Sequence, residues 1–347
     1  MHSSPRLNRR KIVVGMALAP LVSLPVCAGQ APMRFKRALL GTMVDVVVAD
    51  TADNARASIQ VEQAFGEMRR LERLMSRFDP ASELSRINAQ AGGDAAPVGP
   101  ELMAVLRDAK ERAALTGGAF DPVLGQLTVQ ADPGAQRLDD AFVRQMLHSA
   151  NSAALELDER RMRVRLNHPS ARLDLGGVAK LPILAAGLRR LEDSGISGVL
   201  INGGGDVVAS ARPDGQAWRI GIRDADQPDH LIAELPLRTG VIASSGDYER
   251  FVTLDGQRVH HIIDPASGRS TRGLRGVTLV ADRIDVVNGL GPAAMVAGPV
   301  QAMRRLKQWG VLEALLMSSD ASVEVSETLR VRLKAPPGQT RMRAMLG

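Results

Sequence analysis

Residues 174–180 read Asp174-Leu175-Gly176-Gly177-Val178-Ala179-Lys180, which places a carboxylate, two adjacent glycines and an amine across one strand-to-helix turn. Paired glycines let a backbone come close to a ligand, and the free amides at a helix start attract phosphate. Lys180 adds a positive charge beside them. A packing turn that ends in a surface lysine has the same pattern, so this segment alone leaves both readings open. Three further segments carry chemistry-bearing side chains at turns. One is Ala243-Ser244-Ser245-Gly246-Asp247-Tyr248-Glu249-Arg250, which holds the chain's only tyrosine. Another, His260-His261-Ile262-Ile263-Asp264-Pro265-Ala266-Ser267-Gly268, reads as a strand ending in a sharp turn. The last is Gly117-Gly118-Ala119-Phe120-Asp121-Pro122. Each is also compatible with a plain turn capped by an aspartate.

Other chemistries drop out on spacing. Gly203-Gly204-Gly205-Asp206 lacks the third glycine of a dinucleotide fingerprint and is not followed by a helical pattern. No Gly-Lys-Ser/Thr phosphate loop occurs, and the six histidines show no metalloprotease spacing. His260 and His261 are adjacent, so on a strand they face opposite ways and cannot chelate one ion together. The pair therefore reads as structural.

The elements that must position these turns form a mixed pattern. Val44, Val46 and Val48 alternate on a strand opened by Gly41-Thr42. A helix is expected from about Asn54, read as its N-cap, with Val61, Phe65, Met68, Leu71 and Met75 on its apolar face. Residues 91–100 read as a loop, and a second helix runs from Glu101 to the Gly117-Gly118 stop. Beyond it, residues 153–166 read as a hairpin, 171–175 as a strand, and the helix after Gly177 ends near Ser194. Further strands are expected at 198–201, 218–222, 277–281 and 312–317, with a helix over 288–309. The fold class is α+β, one compact domain of antiparallel sheets with flanking helices.

The chain has 347 residues, 45% of them hydrophobic, enough for a substantial core. Its formal charge of +6 falls to +2 once residues 1–31 are set aside, and aromatics make up only 3%. Neither a basic surface nor rows of stacking rings is left for a nucleic-acid partner. Residues 1–31 have their own logic: Arg9-Arg10-Lys11, an apolar run from Ile12 to Val26, then Ala28-Gly29-Gln30-Ala31. That order is an export signal of the twin-arginine kind, and the run is too short to span a bilayer. The only cysteine, Cys27, lies in this segment, so cysteine chemistry is not expected of residues 32–347. A loose tail is expected from about 335.

Taken in order, the segments resemble the ApbE family of FAD:protein FMN transferases. The likeness spans Gly41-Thr42, Met75-Ser76-Arg77-Phe78, Ser82-Glu83-Leu84-Ser85-Arg86-Ile87-Asn88, Ala119-Phe120-Asp121, the 174–180 turn, residues 202–206, Ser245-Gly246-Asp247-Tyr248 and residues 261–268. The resemblance implies a fold related to the T-fold and work outside the cytoplasmic membrane, in the periplasm. It implies transfer of FMN from FAD to a threonine or serine hydroxyl of an exported flavoprotein, with AMP released and magnesium assisting. Peripheral membrane association would come only through the partner. It also implies that Leu40, Phe78, Ala119, Phe120, Asp121, Asp174, Lys180 and Ile263 contact FAD, with Asp174 and Lys180 the catalytic candidates. Gly177, Asn288 and Pro292 stand at the family's metal positions, where Asn288 replaces a carboxylate and Pro292 a threonine. Leu181 follows Lys180 where the family has glycine. These departures open an alternative: an exported flavin-binding protein that no longer transfers, serving as carrier, assembly factor or regulator.

Overall fold

The computed structural model describes residues 32–336 apart from 50, 52, 133–137, 150, 228 and 255–256. The export-like segment and the tail beyond 336 lie outside the described residues. Strands β1 (Met33–Leu39) and β2 (Thr42–Val48) form a hairpin, and β3 (Val199–Gly203) with β4 (Asp206–Ala209) forms another. They join β7 (Gly240–Gly246), β8 (Leu274–Ala281), β9 (Glu313–Ser318) and β10 (Val323–Val325) in one sheet of order β1-β2-β3-β4-β7-β8-β9-β10. Every pairing in that sheet is antiparallel. Strands β5 (Trp218–Arg223) and β6 (Leu231–Leu237) form a separate hairpin.

Alternation along the strands builds two cores. Val44, Val46, Val48, Ile201 and Val208 face the helices, whereas Val47, Leu200, Val207 and Ala209 face the β5–β6 hairpin and its fully buried Trp218. The helical layer holds α1 (Asn54–Met75), α2 (Glu83–Ala89), α3 (Pro100–Leu115), α4 (Asp140–Ser149), α5 (Lys180–Asp193) and α6 (Leu290–Gln308). Asp53 caps α1 by accepting from the Arg56 amide. The face read from its spacing is buried as expected: Val61, Phe65, Met68, Leu71 and Met75. Gly187 of α5 lies against Met68, where an added Cβ would come within 2.8 Å of Sδ, so α1 and α5 pack at close range.

Three expectations change. Residues 171–175 are extended but form only an isolated bridge, Arg172 with Leu124. Side-chain partners replace a ladder there: Asn88 accepts from the Leu173 amide and donates to the Leu173 carbonyl. The helix expected over 288–309 starts at Leu290, because Gly289 takes a left-handed φ of 74°. It breaks at Gly298, also left-handed, ahead of Pro299. Residues 240–246, partly read as a turn, form a central strand.

Candidate functional site

Three backbone turns converge at one end of the large sheet. Leu40 and Gly41 join β1 to β2 with φ of 57° and 67°. Two positive φ values are what a two-residue hairpin of matching twist requires, and leucine is a strained choice for one of them. The Leu40 amide donates to a Glu72 carboxylate oxygen at 2.6 Å. Next door, Gly204 and Gly205 join β3 to β4, also left-handed. A Cβ on Gly204 would lie 2.8 Å from Thr42 Oγ1, so only glycine lets the two hairpins meet. Asn202 fixes this turn by accepting from the Gly205 amide.

Asp206, the first residue of β4, links the turn to its neighbours. One oxygen accepts from the Ser244 amide of β7 at 2.8 Å, and the other lies 3.2 Å from Lys180 Nζ at the start of α5. Glu249 comes close to the same turn, its Oε1 3.7 Å from the position of a Gly205 Cβ. Burial pushes the Glu249 carboxyl up to about 7 against the opposing pull of Lys180. For Lys180 burial acts downward, but Asp206 and Glu249 outweigh it and leave the ammonium raised. His261 Nδ1 donates to the Arg250 carbonyl at 3.2 Å, an arrangement that leaves Nε2 with its lone pair. Burial, with Arg250 adding to it, holds this ring well below the ordinary histidine range. His261 is therefore held neutral among charged side chains. His260, by contrast, is buried and bonded to the Thr271 carbonyl, as a structural histidine is.

The 174–180 turn lies on the same side. The Asp174 carboxylate accepts from the Gly176 amide and the Thr128 hydroxyl and pairs with Arg77 at 3.0 Å. Its oxygens are thus engaged in shaping the turn. The Arg77 guanidinium lies over the ring of Phe78, 4.1 Å from its centroid, and Phe78 is 63% exposed. Arg250 approaches the turn from the other side, 3.3 Å from where a Gly176 Cβ would stand. Gly176 and Gly177 are both exposed.

Several residues named from the sequence meet here and others do not. Asp174, Gly177, Lys180 and Phe120 cluster around the turn. Phe78 stands at its margin beside Arg77, and Leu40 lies in the neighbouring β1–β2 hairpin turn. Asp121 is buried with both oxygens on backbone amides, those of Val123 and Ser152, so it anchors a loop. Ala119 packs partly buried against the main core. Ile263 is buried in a small separate cluster with Leu124, Leu127, Val143 and Met146. Arg77, Thr128, Asp206, Glu249, Arg250 and His261 were not singled out as site residues. Most lie inside quoted segments, but only the fold brings them together.

The metal positions gather poor donors. Asn288 is buried, and its amide nitrogen donates to Asp108 at 2.7 Å and to the Val178 carbonyl at 3.0 Å. A Cβ on Gly177 would meet the Phe120 ring at 3.0 Å and Pro292 Cγ at 3.6 Å, so apolar ring carbons line one side of this exposed residue. Asp108 is balanced by Arg112. Among the described residues no group of three or more acidic, histidine or cysteine side chains could hold an ion. The residues present do not fit a magnesium ion, which requires hard oxygen ligands.

The chain matches the model of the ApbE family over residues 40–316. A FAD:protein FMN transferase of Rhodobacter capsulatus is 30% identical over 86% of this chain, which spans 58% of that relative's length. One from Treponema pallidum is 28% identical over 92% of this chain and 95% of its own. Among solved structures, the ApbE protein of Thermotoga maritima superposes with a TM-score of 0.80 at 27% identity, covering 87% of this chain and 99% of that one. The apo flavinyl transferase ApbE of Pseudomonas stutzeri shares the fold, with a TM-score of 0.76 at 21% identity over 88% of this chain and 98% of its own.

Proposed function

The chain belongs to the ApbE family, and from that premise we propose that it is an exported FAD:protein FMN transferase. FAD is the donor substrate, the acceptor is a threonine or serine hydroxyl of a periplasmic flavoprotein, and AMP is the second product. The relatives' names support the reaction class. The observation that carries it here is Arg250, whose carbonyl holds the neutral His261 ring while its guanidinium reaches the exposed glycine turn that leads to the Lys180–Asp206 pair. The attacking hydroxyl oxygen forms a bond to the phosphorus of the FMN half, and the bond from that phosphorus to the AMP oxygen breaks. The hydroxyl proton passes to His261 Nε2, and Lys180 and Arg250 face the charge that develops on phosphate oxygens. Phe78, exposed at the margin, offers a ring face to the flavin.

The residues at 1–31 support export, and any membrane association would come through the acceptor. Fusing that segment to a reporter and locating it by fractionation tests this placement. Among the described residues no helix is long and apolar enough to cross a membrane. A second reading, flavin binding without transfer, is favoured by the poor donors at the metal positions, a neutral amide at Asn288 and no hydroxyl at Pro292. Incubation with FAD and a threonine-bearing acceptor domain separates the two. AMP release with a fluorescent acceptor band supports transfer. Bound FAD without AMP, in the presence or absence of magnesium, supports the carrier role.

A further inference from the structure

The family's metal positions show more than loss of ligands, because each has been given another task. Asn288 brings a neutral amide rather than a carboxylate, and both of its N–H bonds are committed within the protein, to Asp108 and the Val178 carbonyl. These two hydrogen bonds tie the start of α6 to α3 and to the glycine turn, so turning the amide over would break both in a buried place. Pro292 lies in the first turn of α6, where a missing amide costs nothing, and its ring fills space beside Gly177. Phe120, itself 6% exposed, packs against the same glycine, which stays exposed. The one carboxylate nearby, Asp108, already has Arg112 Nε at 3.2 Å as its counter-charge. Charge for phosphates is available without an ion: Lys180 and Arg250 both come to the turn from protein elements.

We infer that this chain takes up its flavin nucleotide without a divalent cation, the Asn288–Asp108 hydrogen bond and the Phe120–Pro292 packing having replaced the ion that the family would place at Gly177. The inference rests on the flavin-nucleotide reading above and concerns binding, so it is measured apart from turnover.

Two measurements test it on the full exported chain. In the first, FAD is titrated against the flavin-free protein by fluorescence, in EDTA and again in excess magnesium. The dissociation constants should agree within about twofold. A loss of about tenfold or more in EDTA overturns the inference while leaving the flavin reading intact. Absence of binding in both conditions overturns both. In the second, manganese is titrated into the flavin-free protein and followed by its electron spin resonance. The wild-type chain should leave the ion free in solution. Asn288→Asp combined with Pro292→Thr should gain a bound ion, because it sets a second carboxylate against Asp108 and adds a hydroxyl. Manganese bound equally by the wild-type chain overturns the inference. The wild-type arms hold whether or not the double variant folds.

Discussion

Glu249 and His261 share the cleft but resist charge in opposite senses. Glu249 holds its proton up to about 7, against an ordinary 4.5. A carboxyl that binds its proton more tightly in the fold stabilises it fully below about 4.5, and that contribution vanishes as pH climbs through about 7. His261, held neutral, does the reverse: its contribution is present above the ordinary 6.5 and is lost as pH falls. Because the two windows overlap, a difference between proteins is cleaner than one curve. Relative to Glu249→Gln, the wild-type chain should lose on the order of 1 kcal/mol between pH about 4.5 and 7.5, discounted for the side chain's partial exposure. Thermal melts across that range check it, and parallel curves would show that Glu249 is not held protonated. His261→Asn keeps a donor for the Arg250 carbonyl but lacks a base. AMP release should fall about 10²–10⁴-fold while FAD affinity changes little; an unaltered rate would place the proton elsewhere. The sequence made Asp174 and Lys180 visible because a glycine turn flagged them. Glu249 carried no such flag, since its significance depends on Lys180 and Asp206, which reach it from α5 and β4.

Helices with a steady apolar stripe were legible, and α1 is the clearest, although its cap is Asp53 and not Asn54, which stands inside the first turn. Residues 171–175 were not, because an apolar alternating run says nothing about whether a strand or a side chain such as Asn88 will satisfy its backbone. Nor could spacing reveal that α6 docks on β7. Gly291 shows how tight that seat is: a Cβ there would lie 2.4 Å from Ser245 Oγ and 3.1 Å from its Cβ. The hydroxyl can rotate away, but the Cβ cannot. Gly291→Ala should therefore cost about 1–3 kcal/mol in denaturant unfolding, despite alanine's better helix propensity. Adding Ser245→Gly should recover part of that loss. A stabilised Gly291→Ala variant would mean that α6 seats more loosely than this contact requires. The same seat sets Asn288 and Pro292 beside Gly177, so its tightness bears on whether those positions can reopen for an ion.

At the scale of the molecule, the sheet divides the protein into a side that holds the cleft and a side that does not. Lys180 opens α5, Ser245 lies against Gly291 of α6 and Asn288 bonds to Asp108 of α3, whereas Trp218 anchors the β5–β6 hairpin on the opposite face. The ordered motifs carried the family fold, but not this partition. β2 pairs with β3, which follows about 150 residues later, and such pairing leaves no local trace. The Trp218 ring is fully buried, its Nε1 donates to the Ser210 carbonyl at 2.8 Å, and the Arg212 guanidinium lies 5.3 Å from its centroid. Trp218→Ala removes all three contributions and leaves a cavity, at a cost of about 3–5 kcal/mol. Yet the cleft gets its geometry from glycine turns, buried ion pairs and helix starts on the other face. Below its lowered melting point, the variant should still bind FAD within about twofold of the wild-type affinity. Denaturant unfolding measures the first quantity and a FAD titration the second. If affinity fell as steeply as stability, the sheet would be transmitting strain between its faces, and the hairpin would belong to the site as much as the helices do.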